Sequence, residues 1–321
     1  MNTKWLIKNW FRVGHKISWK LSFETLIGLL YFNPCFQKDW VYNIVQKKHK
    51  FVLGYLKQDF QNIIDKYKTE TISTAIQIPK KKYIWVMWWQ GEENAPNLVK
   101  MCINSIRKNA NGAEVVVITE QNYRDYVHIP DYIIDKHKKG YISFAQLSDI
   151  MRIFLISTHG GLWLDSTIFV SKSIPEQIFG KAFYSLHTKL KKTPFVQNDR
   201  VHCFVMGGRP DSKLICFVKD LLSAYWKDKD VIVDYYLLDY SIMLAYYEFS
   251  DIHDYIDSLD FTSEGLYRLV DLLDMPYDEN VIKDVLSENM FSKLVWNVKH
   301  LMEKDGKESI YGYLIKRYNQ Y

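Results

Sequence analysis

The sequence predicts an α/β fold in which strands and helices alternate through the middle of the chain. The first observation is an apolar, β-branched and aromatic run from Tyr83 to Trp89, which has the length of a buried strand. The second is a helix-start signal at Asn94 to Pro96, followed by another strand-like run from Ala113 to Thr119. A strand, a helix and a second strand in this order indicate the beginning of a parallel βαβ sheet.

The region before this sheet, residues 1–75, is predicted to be helical and basic. The whole chain of 321 residues has a net charge of +5. Residues 1–70 contain twelve Lys and Arg against five Asp and Glu, so this part alone contributes +7. Its basic residues recur every four positions beside aromatic side chains, at Lys4, Lys8, Arg12, Lys16 and Lys20. The pattern is typical of a helix on an anionic membrane surface, and a solvated face of a packed helix is the alternative.

The same N-terminal pattern has a further alternative, a nucleic-acid arm, which is disfavoured because the rest of the chain lacks a basic patch. We expect a cytoplasmic protein, peripheral on the inner membrane face, because we find neither a secretory signal nor an apolar run of ~20 residues.

The cysteines lack paired spacing and are expected to be free thiols, at Cys35, Cys102, Cys203 and Cys216.

Further elements complete the α/β pattern. A helix from Gln146 to His159 is closed by Gly160-Gly161 and followed by a strand from Leu162 to Asp165. The remaining predicted strands are Ala182 to His187 and His202 to Gly207, and the predicted helices are Asp211 to Trp226 and Val233 to Phe249. The last seventy residues are expected to be mostly helical. Residues 1–75 and 76–321 are the two predicted units.

Three charged residues beside apolar runs are predicted to meet at one place. Asp149 and Arg152 are three residues apart and therefore share a helix face. The helix from Asp149 to Thr158 rises roughly 13 Å, and the strand to Asp165 returns about 10 Å. Asp165 should then lie level with Asp149 and Arg152 at the carboxyl end of a central strand, where open α/β sheets bind ligands. A surface ion pair between Asp149 and Arg152 is the alternative.

The segments Ile142 to Arg152 and Gly160 to Thr167 resemble the capsular polysaccharide synthesis protein family. That family is similar to retaining GT-A sugar transferases, including yeast-type initiating mannosyltransferases and the large clostridial glucosylating toxins. The resemblance spans roughly Ile78 to Val170. It implies a GT-A, Rossmann-like catalytic domain over residues 76–321 with a helical C-terminal portion.

The resemblance also implies a donor site for a nucleotide sugar. Trp88 falls where such enzymes stack the nucleobase, and Asp149 and Arg152, next to Ser148, match the pair that holds the sugar hydroxyls. Asp165 matches the first acid of the DxD motif. Lys293 resembles a C-terminal lysine segment of the family and would lie beside the diphosphate, a solvated helix lysine being the alternative.

The motif departs from the usual one at its second acid, which is Thr167 here. In the usual motif that acid coordinates a divalent metal, and a hydroxyl is a poorer ligand for a hard cation. The sequence therefore leaves undecided whether Asp165 and Thr167 form a Mn²⁺ or Mg²⁺ site.

For the acceptor side, the candidates are Asp234 and Asp239, in a helix otherwise too apolar to be exposed, and His202 near a strand. A helix cap and a plain strand end are the alternatives. The expected function is transfer of a sugar from a nucleotide sugar to a lipid-linked glycan acceptor in surface or capsular polysaccharide synthesis. The resemblance implies that the transfer retains the anomeric configuration. A glycosyltransferase effector acting on protein and a catalytically inactive GT-A binding module are the competing hypotheses.

Overall fold

The computed structural model describes residues 3–188, 193–262 and 264–319. Its N-terminal part is helical, as the sequence predicts. The helices of this part are α1 Thr3–Lys16, α2 Trp19–Leu30, α3 Asp39–Asp59 and α4 Gln61–Tyr67. Within the described ranges, every helix is too short or too polar to cross a bilayer.

Strands and helices alternate through the rest of the described chain. The strands are β1 Tyr83–Met87, β2 Glu114–Ile118, β3 Gly161–Leu164, β4 Ile168–Val170, β5 Phe183–Ser185, β6 Val205–Gly208, β7 Phe291–Lys293, β8 Glu303–Lys304 and β9 Lys307–Glu308. The helices are α5 Asn97–Asn109, α6 Tyr123–Tyr126, α7 Asp131–Lys138, α8 Phe144–His159, α9 Lys213–Asp228, α10 Leu237–Glu248, α11 Ser250–Asp257, α12 Arg268–Leu272, α13 Glu279–Glu288 and α14 Ile310–Tyr318.

The central sheet has the strand order β2-β1-β3-β6-β5. β1 runs parallel to both β2 and β3, whereas β6 runs antiparallel to its neighbours β3 and β5. α5 joins β1 to β2, and α8 precedes β3, so the predicted βαβ beginning is present. The predicted Rossmann-like α/β class is therefore confirmed.

Both faces of the sheet are covered, which explains why β1 is apolar at every position. Trp85 and Met87 belong to a buried cluster formed with α8, α9 and α10. Ile84 and Val86 belong to a second cluster on the opposite face, packed with α5. Because alternate residues of a strand point to opposite faces, a strand buried on both sides needs a continuous apolar run.

The helices α3 and α4 pack against the same side of the sheet as α9. Val52, Leu56 and Ile64 are fully buried and share one cluster with Phe217 and Leu221 of α9. Burial of each such side chain contributes roughly 1.5–3 kcal/mol. These two helices are therefore held to the rest of the molecule by an apolar contact.

The reversal between α8 and β3 depends on two glycines with positive φ. Gly160 has φ 68° and Gly161 has φ 108°. A Cβ atom on Gly161 would lie 2.6 Å from the carbonyl oxygen of Tyr83 in β1. Glycine is therefore needed both for the backbone conformation and for the close approach of β3 to β1.

The C-terminal part is helical, as predicted, and also contains the short strands β7, β8 and β9. Lys293 lies in β7, which pairs antiparallel with β4, so the alternative of a solvated helix lysine is wrong. The helix predicted from Val233 begins at Leu237. The reason is a local turn, in which the Asp234 carboxylate accepts a hydrogen bond from the backbone N–H of Tyr236 at 3.0 Å and competes with helix formation.

Candidate active site

A pocket of about 1060 Å³ opens at the carboxyl ends of β1 and β3. This is the place where the sequence predicts a ligand site, because the loops after neighbouring parallel strands meet there. The pocket is lined by nearly all of the predicted site residues, namely Trp88, Ser148, Asp149, Arg152, Asp165, Thr167, His202, Asp239 and Lys293.

The start of α8 is fixed by a capping box between Ser143 and Gln146, which sets which residues face the pocket. One turn further on, Arg152 Nη2 lies 3.4 Å from Asp149 Oδ1 and 3.0 Å from Asp165 Oδ1. The predicted meeting of these three residues is therefore found. Arg152 is buried and also donates to the backbone carbonyl of Cys203.

Asp165 follows β3 directly and accepts three hydrogen bonds. The Arg152 guanidinium donates to Oδ1 at 3.0 Å, the Trp163 indole N–H donates to the same oxygen at 2.9 Å, and Lys293 Nζ donates to Oδ2 at 2.8 Å. Burial alone would raise the pKa of Asp165, but the charges of Lys293 and Arg152 outweigh it and hold the pKa below its usual value. Asp165 is therefore a charged carboxylate between two cations.

Lys293 reaches this position because β7 pairs with β4, which follows Asp165 in the chain. In that pairing, Lys293 lies opposite Ile168, and the backbone N–H of Leu294 donates to the carbonyl of Thr167 at 2.9 Å. The lysine side chain is 21% exposed, so its ammonium group is open to the pocket while it contacts Asp165. The structure thus places a positive charge beside the acidic motif.

Two further carboxyl groups of the pocket titrate near neutral pH. Burial raises the pKa of Asp149 to about 7, against the opposing charge of Arg152. Burial likewise raises the pKa of Asp239 to about 6, and the Cys203 thiol lies 3.6 Å from its Oδ1 atom. Both groups therefore exchange protons in the range where a general acid or base is effective.

Aromatic side chains form much of the remaining wall. Trp88 follows β1, and its ring meets that of Trp296 edge to face, with centroids 5.5 Å apart. Tyr235, Tyr236 and Phe195 also line the pocket. Sequence reasoning missed Trp296, although it stands three residues after Lys293 and follows the same strand. It also missed Tyr235 and Tyr236, although it named their neighbour Asp234 as a candidate.

Asp234, a predicted acceptor-side residue, does not line the pocket. Its carboxylate forms an ion pair with Lys48 of α3 at 2.9 Å, and both side chains are buried. The residue ties the N-terminal helices to the segment before α10. Asp239, in the first turn of α10, does line the pocket.

His202 and Ser148 lie in the pocket wall as predicted, without a role that the geometry fixes. His202 is buried, with its Nε2 atom 3.0 Å from the Thr188 hydroxyl. Burial lowers its pKa to about 4, so the ring is neutral at physiological pH. The Ser148 side chain lines the pocket beside Asp149.

The residues around the motif do not fit a divalent cation well. Both oxygens of Asp165 are engaged by N–H donors, two of which are positively charged. Thr167 supplies no carboxylate, and among the described residues there is no group of three or more His, Cys, Asp or Glu that would hold a metal. A Mn²⁺ or Mg²⁺ site at Asp165 and Thr167 remains a prediction, and the donor set disfavours it.

Comparison with known proteins gives a family match over most of the chain. Residues 33–314 match the model of a family described as "Capsular polysaccharide synthesis protein". No curated protein matches the chain. The solved structure titled "PaToxG Glycosyltransferase" is similar over 65% of this chain and 83% of its own, with 13% identity and a TM-score of 0.40.

Proposed function

The chain belongs to the capsular polysaccharide synthesis protein family, and from that premise we propose that it is a glycosyltransferase using a nucleotide-sugar donor. The observation that carries the proposal is the contact of Asp165 with both Arg152 and Lys293 in a pocket at the carboxyl end of β3. A nucleoside diphosphate sugar presents a polyol, a diphosphate and a base. The pocket offers carboxylates, cations and aromatic rings for these three parts.

In the proposed reaction, the bond between the anomeric carbon and the diphosphate oxygen breaks, and its electron pair leaves with the diphosphate. The acceptor hydroxyl oxygen forms the new bond to the anomeric carbon. Lys293 and Arg152 stabilise the negative charge that grows on the leaving group, because fixed cations in a partly desolvated pocket act strongly on such charge. The chain's own cations thus supply the stabilisation that a metal supplies in the usual motif.

The other residues position the two substrates. Asp149 accepts hydrogen bonds from the donor sugar, Asp165 holds the two cations and reaches the ribose, and Trp88 packs against the base. Asp239, whose pKa is about 6, is the proposed acceptor-side carboxylate that takes the proton of the attacking hydroxyl. Retention of anomeric configuration remains a prediction from the family resemblance.

A screen of UDP, GDP and TDP sugars tests the proposal. At least one of them should raise the thermal midpoint of the protein and release free nucleoside diphosphate slowly in the absence of an acceptor. Binding without release under all conditions would favour an inactive binding module. If none of the nucleotides binds, the proposed function is wrong.

A further inference from the structure

The part of the chain from α1 to the start of α3 exposes an unusual number of large apolar side chains. We call this set the apolar face, and each member is between 38% and 55% exposed. Its residues are Ile7, Phe11, Trp19, Phe23, Leu26, Leu29, Leu30, Phe32, Phe36 and Trp40. Large contiguous patches of this kind are rare on soluble monomers and mark surfaces that contact another phase or partner.

The apolar face is continuous across α1 and α2. The ring of Trp10 contacts those of Phe11, Trp19 and Phe23 at centroid distances of 4.8, 5.6 and 5.5 Å. Trp10 also locks the two helices together, since its indole N–H donates to the Ser22 carbonyl at 2.8 Å and the Ser22 hydroxyl donates back to the Trp10 carbonyl. The two helices therefore present one surface.

Packing inside the protein does not use this surface. On α2, Leu21 is buried, and Gly28 faces Val45 of α3. The exposed members at Trp19, Phe23, Leu26 and Leu30 are spaced four, three and four residues apart, which places them on one side of α2. α2 thus has two apolar sides, of which only one is covered.

The charges beside the apolar face favour an anionic surface. Lys8, Lys16 and Lys20 are exposed, whereas Arg12 instead packs over the Tyr141 ring at 4.9 Å. The acidic residue of α1 and α2, Glu24, is buried. Asp39, beside Trp40 at the end of the face, is exposed, but α1 and α2 combine exposed Trp, Phe and Leu with exposed lysines and have no exposed acid. This is the combination that binds the interface of an anionic bilayer.

The apolar face also reaches the mouth of the candidate active site. Phe32, just after α2, contacts Phe195 at a centroid distance of 5.8 Å, and Phe195 contacts Tyr236 at 5.3 Å. Phe195 and Tyr236 both line the pocket. Contacts between aromatic rings therefore connect Phe32 on the exposed surface to the pocket lining.

We propose that the apolar face lies in the interfacial region of an anionic bilayer and that the Phe32–Phe195 contact is where a lipid-linked acceptor enters the pocket. The second part rests on the proposed function, and the first part does not. The arrangement holds the pocket mouth at the bilayer, so that a glycan attached to a membrane lipid meets the donor without leaving its lipid phase. The acceptor class is thereby a glycan on a lipid carrier and not a free oligosaccharide.

Flotation with vesicles of phosphatidylglycerol and phosphatidylcholine in equal parts tests the first part. The triple variant F23S/L26S/L30S should bind these vesicles at least about tenfold more weakly, because it removes apolar side chains that the bilayer would bury. The matched control M275S/V281S/V298S changes three exposed apolar residues elsewhere and should bind as the wild type does. Thermal midpoints of both variants check that they fold.

Equal vesicle binding by the two triple variants would overturn the proposal. The proposal is also overturned if the wild type does not bind the vesicles but self-associates, and if F23S/L26S/L30S abolishes that self-association. In that case a second copy of the chain covers the apolar face. Nucleotide release from soluble donor should be the same in wild type and both variants. Its absence in the wild type would contradict the proposed function and leave vesicle binding as a separate result.

Photolabelling tests the entry point. Phospholipids with a diazirine on the acyl chain, added to the same vesicles, should label the peptides that contain Phe32 and Phe195 and spare the peptide that contains Met275. Labelling of the Phe32 peptide without the Phe195 peptide would contradict an entry point at this contact. Equal labelling of all three peptides would contradict it too.

Discussion

Lys293 Nζ lies 2.8 Å from Asp165 Oδ2, although 128 residues separate them in the sequence. The contact exists because β7 pairs with β4 immediately beyond the acidic motif. Arg152 contacts the other oxygen of the same carboxylate. The motif therefore consists of one ionised carboxylate that holds two cationic side chains in the pocket. Two fixed positive charges suit the binding of a diphosphate.

We expect Lys293→Ala to lower the rate of nucleotide release by about 100-fold, because it removes one charge-stabilising donor. Lys293→Arg should retain part of the activity, since it keeps the charge in a different shape. Addition of EDTA should leave wild-type turnover unchanged. The control Lys181→Ala breaks an exposed ion pair with Asp260 and should be silent. Full loss of turnover in EDTA would show that a metal is required after all.

The raised pKa of Asp149 should make stability depend on pH. Its folded-state pKa of about 7 exceeds the ordinary value of 3.8, so its contribution to stability is complete below about pH 4 and is lost as the pH rises through 7. Asp149→Asn should then raise the thermal midpoint at pH 8 and have no effect near pH 4, with a difference of up to about 4 kcal/mol. Thermal unfolding at both pH values measures this. A variant that is less stable at pH 8 would contradict the raised pKa.

Donor affinity should fall as the pH rises from about 5.5 to 8. A diphosphate binds more weakly beside ionised Asp149 and Asp239, whose pKa values are about 7 and about 6. Binding should therefore take up protons, which calorimetry in buffers of different ionisation enthalpy detects. The double variant D149N/D239N should lose this proton uptake. Affinity that increases with pH would contradict the expected repulsion between these ionised carboxylates and the diphosphate.

Gly161→Ala should destabilise the protein by roughly 2 kcal/mol or more, since φ is 108° and the new Cβ would lie 2.6 Å from the Tyr83 carbonyl oxygen. Gly54→Ala in the exposed part of α3 is the matched control, because a Cβ there meets no atom within 4 Å. It should be neutral or stabilise by up to about 1 kcal/mol. Urea unfolding of both variants distinguishes these outcomes, and equal effects would rule out strain at the reversal.

The sequence was sufficient for those parts of the fold that local signals determine. β1, α5, β2, α8 and β3 follow from apolar periodicity, the helix-start signal that ends at Pro96 and the di-glycine reversal. The meeting of Asp149, Arg152 and Asp165 followed from the rise of one helix and one strand. All of these elements are adjacent in the chain, so short-range geometry was enough.

The sequence was insufficient where contacts depend on distant segments. The β4–β7 pairing joins strands more than a hundred residues apart, and nothing in either strand alone identifies its partner. For the same reason, the sequence does not identify the strand that contains Lys293 or predict that Trp296 lines the pocket. Asp234 is a site candidate in the sequence because its surroundings are too apolar for an exposed helix. Its actual partner, Lys48, lies in a helix that no local pattern connects to it.

The central claim is that the Asp165 cluster is the donor site, and the turnover of Asp165→Asn tests it most directly. Asparagine keeps the side-chain shape and removes the charge that holds Arg152 and Lys293. Asp220→Asn is the matched control, because Asp220 also accepts from a lysine, Lys66 at 2.6 Å, but lies outside the pocket. We predict that Asp165→Asn remains folded and releases no measurable nucleoside diphosphate from the donor that the wild type uses, while Asp220→Asn is fully active. Wild-type turnover by a folded Asp165→Asn variant would contradict the account.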